Sequence, residues 1–276
     1  MDIYVTLSTF AVFSDEPLDL LKKSGYQFEI NDSGKRMTPD EILAKAPDAK
    51  VLVAGVEPYE RSTLCELASL LAISRCGVGI DSIDKDAAKE LDVAILNTPD
   101  EPTQAVAELT LTMILALLKR LPKVDKDTHD RLWQRTTGSL LSGKKVGIVG
   151  FGRIGRKVGS LLSAFGVEIL VFDPYCNAFE DDVHWCSSLD DLLGQSDIVT
   201  LHASSSDGFL IGEKEVDSMR DGAWLVNLAR GNMIDEAALL SALEQNKLSG
   251  AALDVYSEEP YKAELCDCDK IIMTPH

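Results

Sequence analysis

At 276 residues the chain has room for two modest domains or one large one, and 45% hydrophobic with 26% charged residues is the composition of a globular protein. A formal net charge of −18 at pH 7 argues against a phosphate-backbone partner, which needs a basic face, so no nucleic acid is expected. No apolar run reaches the roughly 18 residues of a membrane helix, and the nearest approach, residues 107–118, is broken by Glu108 and by threonines.

The opening residues, MDIYVTLSTF, carry an acid and read as a strand, not as a secretory leader, so a cytoplasmic protein with no membrane partner is expected. Short β-rich runs follow at 3–7, 51–54, 71–74 and 93–97, with a helix at 84–91, and about five β/α units fit before Thr98. Residues 101–120 then read as one long helix, with Val106, Leu109, Met113 and Leu117 at helical spacing, Pro99 and Pro102 at its entry and Pro122 at its exit. After Gly143 the alternation restarts. Strands are expected at 145–149, 168–172, 198–201, 223–227, 250–254 and 270–273, with helices at 154–164 and 236–246. Strands separated by helices of about ten residues indicate parallel sheets covered on both faces. The expected fold class is therefore α/β: two doubly wound Rossmann-like or flavodoxin-like parallel-sheet domains, residues 1–98 and 99–276, with a cleft between them. The six cysteines are irregularly spaced and read as thiols, and no metal constellation is visible.

The sharpest local signal is Lys145-Val-Gly-Ile-Val-Gly150-Phe-Gly152-Arg153-Ile154-Gly155. It follows an apolar strand and opens a helix. The next strand ends in Asp173, about 18 residues past Gly155, which is the dinucleotide-binding pattern. Gly150 permits the tight turn, Gly152 lets the backbone approach a pyrophosphate, and Gly155 lets helix and strand pack closely. The helix N-terminus offers unpaired N–H groups to the phosphates. Asp173 can accept from both ribose hydroxyls and would repel a 2′-phosphate, so NAD is expected over NADP.

Three further stretches extend the pattern: Ser74-Arg75-Cys-Gly77-Val78-Gly79-Ile-Asp81, then Asn227-Leu-Ala229-Arg230-Gly231-Asn-Met-Ile-Asp235, then Asp254-Val-Tyr-Ser-Glu258-Glu259-Pro260. With Thr274-Pro275-His276 they resemble the D-2-hydroxyacid dehydrogenases over essentially the whole chain. The resemblance implies an NAD-dependent enzyme that interconverts a small D-2-hydroxy acid and its 2-keto acid. It also implies a catalytic set of Arg230, Glu259 and His276. Arg230 lies at a strand's carboxyl end, where its fork can hold a carboxylate and the adjacent keto oxygen. His276 would be the acid/base, since imidazole titrates near neutrality. Glu259 would pair with it and favour the imidazolium. Asp254 resembles the position that orients the nicotinamide carboxamide, and Ala229 with His202 would border the cofactor. Backbone N–H groups of Val78 and Gly79 would hold the substrate carboxylate, with Arg75 adding positive charge. The family forms dimers around the long helix, so a homodimer is expected.

Some departures stand out. Relatives continue past the histidine with a segment that completes the first domain; this sequence stops at His276. The loop Ala203-Ser-Ser-Ser-Asp207-Gly208-Phe209 replaces a Pro- and Thr-rich stretch. Phosphoglycerate members carry a basic residue after the strand at 51–54, where this chain has Gly55-Val56-Glu57, and an acid there disfavours a substrate phosphate. Formate dehydrogenases, another branch, keep Gln where this chain has Glu259. Two alternatives follow from the same resemblance: a 3-phosphoglycerate dehydrogenase of serine biosynthesis, or a non-catalytic NADH-sensing interaction module. His129 and His184 are expected at the surface, and Trp133 and Trp185 as packing anchors. The acid pairs Asp181-Asp182 and Asp190-Asp191 read as loop or helix-start charges.

Overall fold

The computed structural model describes residues 1–176, 182–204 and 208–276. Two compact units emerge, Met1–Pro102 and Thr103–His276, so the division falls four residues later than expected and inside the first turn of the long helix.

The first unit is built on five parallel strands: β1 (Ile3–Val5), β2 (Phe28–Ile30), β3 (Val51–Ala54), β4 (Ala72–Arg75) and β5 (Ala94–Asn97), in the order β2-β1-β3-β4-β5. Helices α1 (Glu16–Ser24), α2 (Pro39–Lys45), α3 (Arg61–Glu66) and α4 (Lys85–Glu90) connect them. Local chemistry sets their starts. Thr38 and Glu41 form a reciprocal capping box at α2, and the Asp84 carboxylate accepts from Ala87 N–H at α4. Tyr4, Ile42, Leu52, Leu64, Ile73 and Ala87 meet in its core. Sequence periodicity does not reveal β2. It is a three-residue edge strand with two exposed positions, so it carries little apolar signal.

The second unit opens with α5 (Pro102–Lys119) and α6 (Leu121–His129). Pro122 does not end the long helix as expected. Arg120, at φ 51°, breaks it, and Pro122 sits in the first turn of α6, where a missing N–H costs nothing. Seven parallel strands follow: β6 (Lys145–Val149), β7 (Glu168–Phe172), β8 (His184–Trp185), β9 (Ile198–Leu201), β10 (Ala223–Asn227), β11 (Leu248–Leu253) and β12 (Ile271–Met273), in the order β12-β11-β10-β9-β6-β7-β8. Alternate strand residues feed opposite faces. Val149, Leu225 and Leu253 pack with Leu192, Val216 and Leu243 from α8 (Leu189–Gln195), α9 (Glu213–Ser218) and α10 (Glu236–Glu244). Ile148, Val226 and Ala252 pack with Met113 and Leu117 of α5 and with Val158 and Leu162 of α7 (Arg153–Ser163). That two-sided burial explains the near-continuous apolar runs of these strands.

Among the described residues no helix is long and apolar enough to cross a membrane. All six cysteines are thiols. Trp185 does anchor packing, meeting Phe151 edge-on with ring centroids 5.5 Å apart. Trp133 does not. It lies beyond α6 in a stretch without regular structure and is 88% exposed. His129 and His184 are both exposed, and Asp190 and Asp191 occupy the first turn of α8. Asp181, and Ser205, Ser206 and Asp207 of the substituted loop, lie outside the described residues.

Candidate active site

Parallel register aligns the carboxyl ends of the second sheet. Val149 pairs with Phe172 and Leu201, and Asn227 pairs with Leu201 and Leu253. Gly150, Asp173, His202, Arg230 and Asp254 therefore emerge along one sheet edge, the edge at which open α/β sheets take ligands.

Each glycine of the cofactor turn has a geometric reason. Gly150 sits at φ +90°, and a Cβ there would meet Ala203 N at 2.5 Å. A Cβ on Gly155 would lie 3.2 Å from the Gly150 carbonyl carbon and closer still to its oxygen. At Gly152 a Cβ would meet nothing within 4 Å, so open space stands directly over the N-terminus of α7. Helix-start amides with room above them fit a pyrophosphate. Asp173 is aimed by two backbone donors, Phe151 N–H at 2.8 Å and Tyr175 N–H at 2.9 Å, one on each carboxylate oxygen. Each oxygen keeps a further lone pair for a ribose hydroxyl. Arg153 is exposed and Ile154 partly buried on the first turn of α7.

His202 follows β9 with its Nε2 2.9 Å from Thr200 Oγ1. Burial pushes its pKa down from 6.5 to about 3, so the ring is neutral at physiological pH and is a poor proton donor. Above the unfolded value of 6.5 this costs no stability. As pH falls from 6.5 towards 3 the unfolded chain binds a proton that the folded chain refuses. Stability should then drop by up to about 1.4 kcal/mol per pH unit. Urea unfolding at pH 7 and pH 5 should show a loss about 2 kcal/mol larger in the parent chain than in His202→Gln. Equal losses would overturn this account of the ring.

Arg230 stands in extended backbone and donates from Nη1 to Ala229 O at 2.7 Å. Asn227, at the end of β10, clamps the turn. Its Nδ2 donates to Arg230 O at 2.9 Å and its Oδ1 accepts from Ala229 N–H at 3.0 Å. Gly231 then presses on the next loop, where a Cβ would fall 2.6 Å from Tyr256 Cα and closer still to the Tyr256 carbonyl. That loop is closed by Tyr256. Its hydroxyl lies 3.0 Å from Leu253 O and 2.9 Å from Thr274 O, and burial pushes its phenol up to about 12. Tyr256 N–H donates to Glu259 Oε1 at 3.3 Å. Asp254 accepts from Thr274 Oγ1 at 2.5 Å. So fixed, Glu259 and His276 meet, with Nδ1 2.8 Å from Oε2 and 3.1 Å from Oε1. A carboxylate on Nδ1 sets the tautomer and leaves Nε2 as the nitrogen that can exchange a proton.

In the first unit Arg75 ends β4, and its guanidinium folds over Gly77, where a Cβ would lie 2.9 Å from Arg75 Cζ. Gly77 N–H donates to Thr98 Oγ1 at 2.7 Å, and Asn97 Nδ2 donates to Val78 O at 2.8 Å. Among the described residues no acceptor takes the N–H groups of Val78 or Gly79. Glu57 does not stand at the surface as a repelling charge. Its carboxylate is turned inward, 2% exposed, and accepts from Gly55 N–H at 2.7 Å.

Asn227, Tyr256 and Thr274 carry much of this architecture and were not singled out from the sequence. Their only local signal is position, next to a strand end or inside a motif quoted for other residues.

Residues 111–276 match the family model for the D-isomer specific 2-hydroxyacid dehydrogenase, NAD binding domain. The chain belongs to that family. As a D-isomer specific 2-hydroxyacid dehydrogenase family member it carries the NAD-binding domain in its second unit. It is 31% identical over 272 residues to a D-3-phosphoglycerate dehydrogenase of Archaeoglobus fulgidus, a match covering 95% of this chain and 51% of that protein. It is 31% identical over 285 residues to a hydroxypyruvate reductase of Thermotoga maritima, covering 98% of this chain and 92% of that protein. The fold is similar to that of a glyoxylate reductase from Paecilomyes thermophila, with TM-score 0.88 and 28% identity, covering 100% and 88% of the two chains. The chain spans about half the length of the phosphoglycerate dehydrogenases it matches.

Proposed function

We propose that this chain interconverts a small D-2-hydroxy acid and its 2-keto acid with NAD, the first unit binding substrate and the second binding the cofactor. The observation that carries the reading is the Glu259–His276 pair at 2.8 Å, in the unit that holds the cofactor turn and Arg230. NAD, when bound, supplies or accepts the hydride. The chain's own residues do the rest. Gly150, Gly152, Arg153, Ile154 and Gly155 receive the pyrophosphate, while Asp173 takes the ribose hydroxyls and disfavours a 2′-phosphate. Ala229 and His202 would border the cofactor, and Asp254 would orient its carboxamide. The Arg230 guanidinium holds the substrate carboxylate and polarises the keto oxygen. His276 Nε2 delivers a proton to that oxygen during reduction and removes it from the hydroxyl during oxidation. Glu259 stabilises the imidazolium between the two. The Val78 and Gly79 amides, with Arg75, receive the substrate carboxylate on the first unit.

NADH oxidation should be measured against glyoxylate, hydroxypyruvate, pyruvate and 3-phosphohydroxypyruvate, with NADPH alongside. Turnover with NADH on at least one of them is expected. A chain that binds NADH yet turns over none would sink the reading.

A homodimer and a cytoplasmic location complete the proposal. Six thiols suit a reducing compartment. The apolar side of α5 is largely spent within its own unit, through Ala107, Met113, Ile114, Leu117 and Leu118. Leu132 at 47%, Trp133 at 88% and Leu140 at 70% exposure supply unspent apolar surface beyond α6. A monomeric mass in sedimentation at micromolar concentration would count against the dimer.

A further inference from the structure

The first unit contains a buried polar cluster that none of the chemistry above uses. Thr6, Glu57 and Tyr59 are 0%, 2% and 0% exposed. Glu57 Oε2 lies 3.1 Å from Thr6 Oγ1 in addition to accepting the Gly55 N–H, and Thr6 Oγ1 lies 2.8 Å from Tyr59 Oη. A carboxylate and a carbonyl can only accept, so Thr6 shares its single proton between Glu57 and, at 3.3 Å, Val53 O, and Tyr59 donates to Thr6. Burial pushes the Tyr59 phenol above its ordinary value, which keeps it a donor. The order is thus Tyr59 O–H to Thr6 to Glu57, with Gly55 N–H closing on the same carboxylate oxygen.

The surroundings of Tyr59 give this chain of bonds a consequence. Ala54, the last residue of β3, is in register with Arg75, and Cys76 N–H donates to Ala54 O at 2.9 Å. This pins the near end of the turn that carries Val78 and Gly79. The far end is pinned by the Tyr59 backbone, whose N–H donates to Ser82 O at 2.7 Å and whose carbonyl accepts from Asp84 N–H at 2.9 Å. Both ends therefore hang on the segment from Ala54 to Tyr59, and beyond the β1–β3 backbone pairing the buried cluster ties that segment to Thr6, the residue after β1. A buried network of linked hydrogen bonds is stiff, and stiffness here fixes where the Val78 and Gly79 amides point.

We propose that Thr6, Glu57 and Tyr59 are positioning residues that set the geometry of the Val78–Gly79 turn and so the affinity for the substrate carboxylate. The inference rests on the reading that this turn receives that carboxylate.

The test is steady-state NADH oxidation by the full chain with whichever keto acid the panel selects. Thr6→Val keeps the shape of the side chain and removes the hydroxyl; Thr6→Ser restores it. Thr6→Val should raise KM for the keto acid about fivefold with kcat within about twofold, the size of one lost buried hydrogen bond. Thr6→Ser should return KM to within about twofold of the parent. Should Thr6→Val fail to fold, Tyr59→Phe, which keeps the ring and removes the donor, carries the same expectation. The Kd for NADH should not move in either. Where the parent chain turns over, an unmoved KM in Thr6→Val would overturn this inference alone. So would a fall in kcat that Thr6→Ser does not rescue. A parent chain without turnover would overturn the proposed function, and this inference with it.

Discussion

Replacing His276 with alanine should lower kcat for keto-acid reduction by about two to four orders of magnitude, the usual worth of a positioned acid/base. The Kd for NADH should stay close to that of the parent, because the cofactor turn at Gly150–Gly155 shares no hydrogen bond with the ring. The loss should be large because the neighbours cannot substitute. Asp254 is engaged by Thr274 at 2.5 Å, and His202 is held neutral by a pKa near 3. Glu259→Gln should cost less, since an amide oxygen can still accept from Nδ1 while the stabilisation of the imidazolium is lost. Pre-steady-state measurement of NADH consumption separates the chemical step from product release. A His276→Ala chain with parental single-turnover rates would remove His276 from the mechanism and leave the proton donor to be found elsewhere.

Gly231→Ala should be severely damaging. A Cβ at 231 falls 2.6 Å from Tyr256 Cα and nearer still to its carbonyl, both backbone atoms that no rotamer change can clear. One of the two loops must move by about 1 Å, and a misplacement of that size beside reacting groups costs on the order of 10²-fold in kcat/KM. Arg230 is on one loop and Glu259 on the other, so either response disturbs the site. A stability loss of about 3 kcal/mol or more should accompany it, as expected for strain in a packed region. Gly159→Ala is the natural control. A Cβ there meets Ile148 Cδ1 and Phe151 Cε2 at 3.5 Å, ordinary contact, within α7. Helix propensity then favours alanine by roughly 1 kcal/mol. Thermal melts and kcat/KM of the two variants side by side decide the matter. If Gly231→Ala melts and turns over like Gly159→Ala, the close approach of the two loops is not what the glycine serves.

Much of this molecule is legible in one dimension. The strands β6, β7, β9 and β10 announce themselves as apolar runs because both sheet faces are covered, and the runs are only five or so residues long. The Gly150–Gly155 turn is legible because its parts are consecutive and each glycine answers a local steric demand. Edge strands are not. β2 and β8 have solvent on one side and only three and two residues, so burial imprints little on them. The same limit explains Pro122, which reads as a helix stop until Arg120 is seen to have broken the helix already.

The sequence by itself determined the α/β class and the glycine-rich turn with Asp173 at the end of the strand beyond it, and its resemblance to a family suggested the candidate trio of Arg230, Glu259 and His276. Periodicity and consecutive motifs record short-range geometry, and the wording of three separated motifs sufficed to suggest the family. Only the tertiary structure decided that Glu57 points inward, because its partner Thr6 lies 51 residues away. It alone revealed Asn227, Tyr256 and Thr274 as the clamps of the site, and Gly231 as a contact. It also brought Glu259 and His276 together across 17 residues of intervening chain. A hydrogen bond or a steric exclusion between distant segments leaves no period in the sequence, since it depends on where the sheet places two loop ends and not on which residues adjoin them.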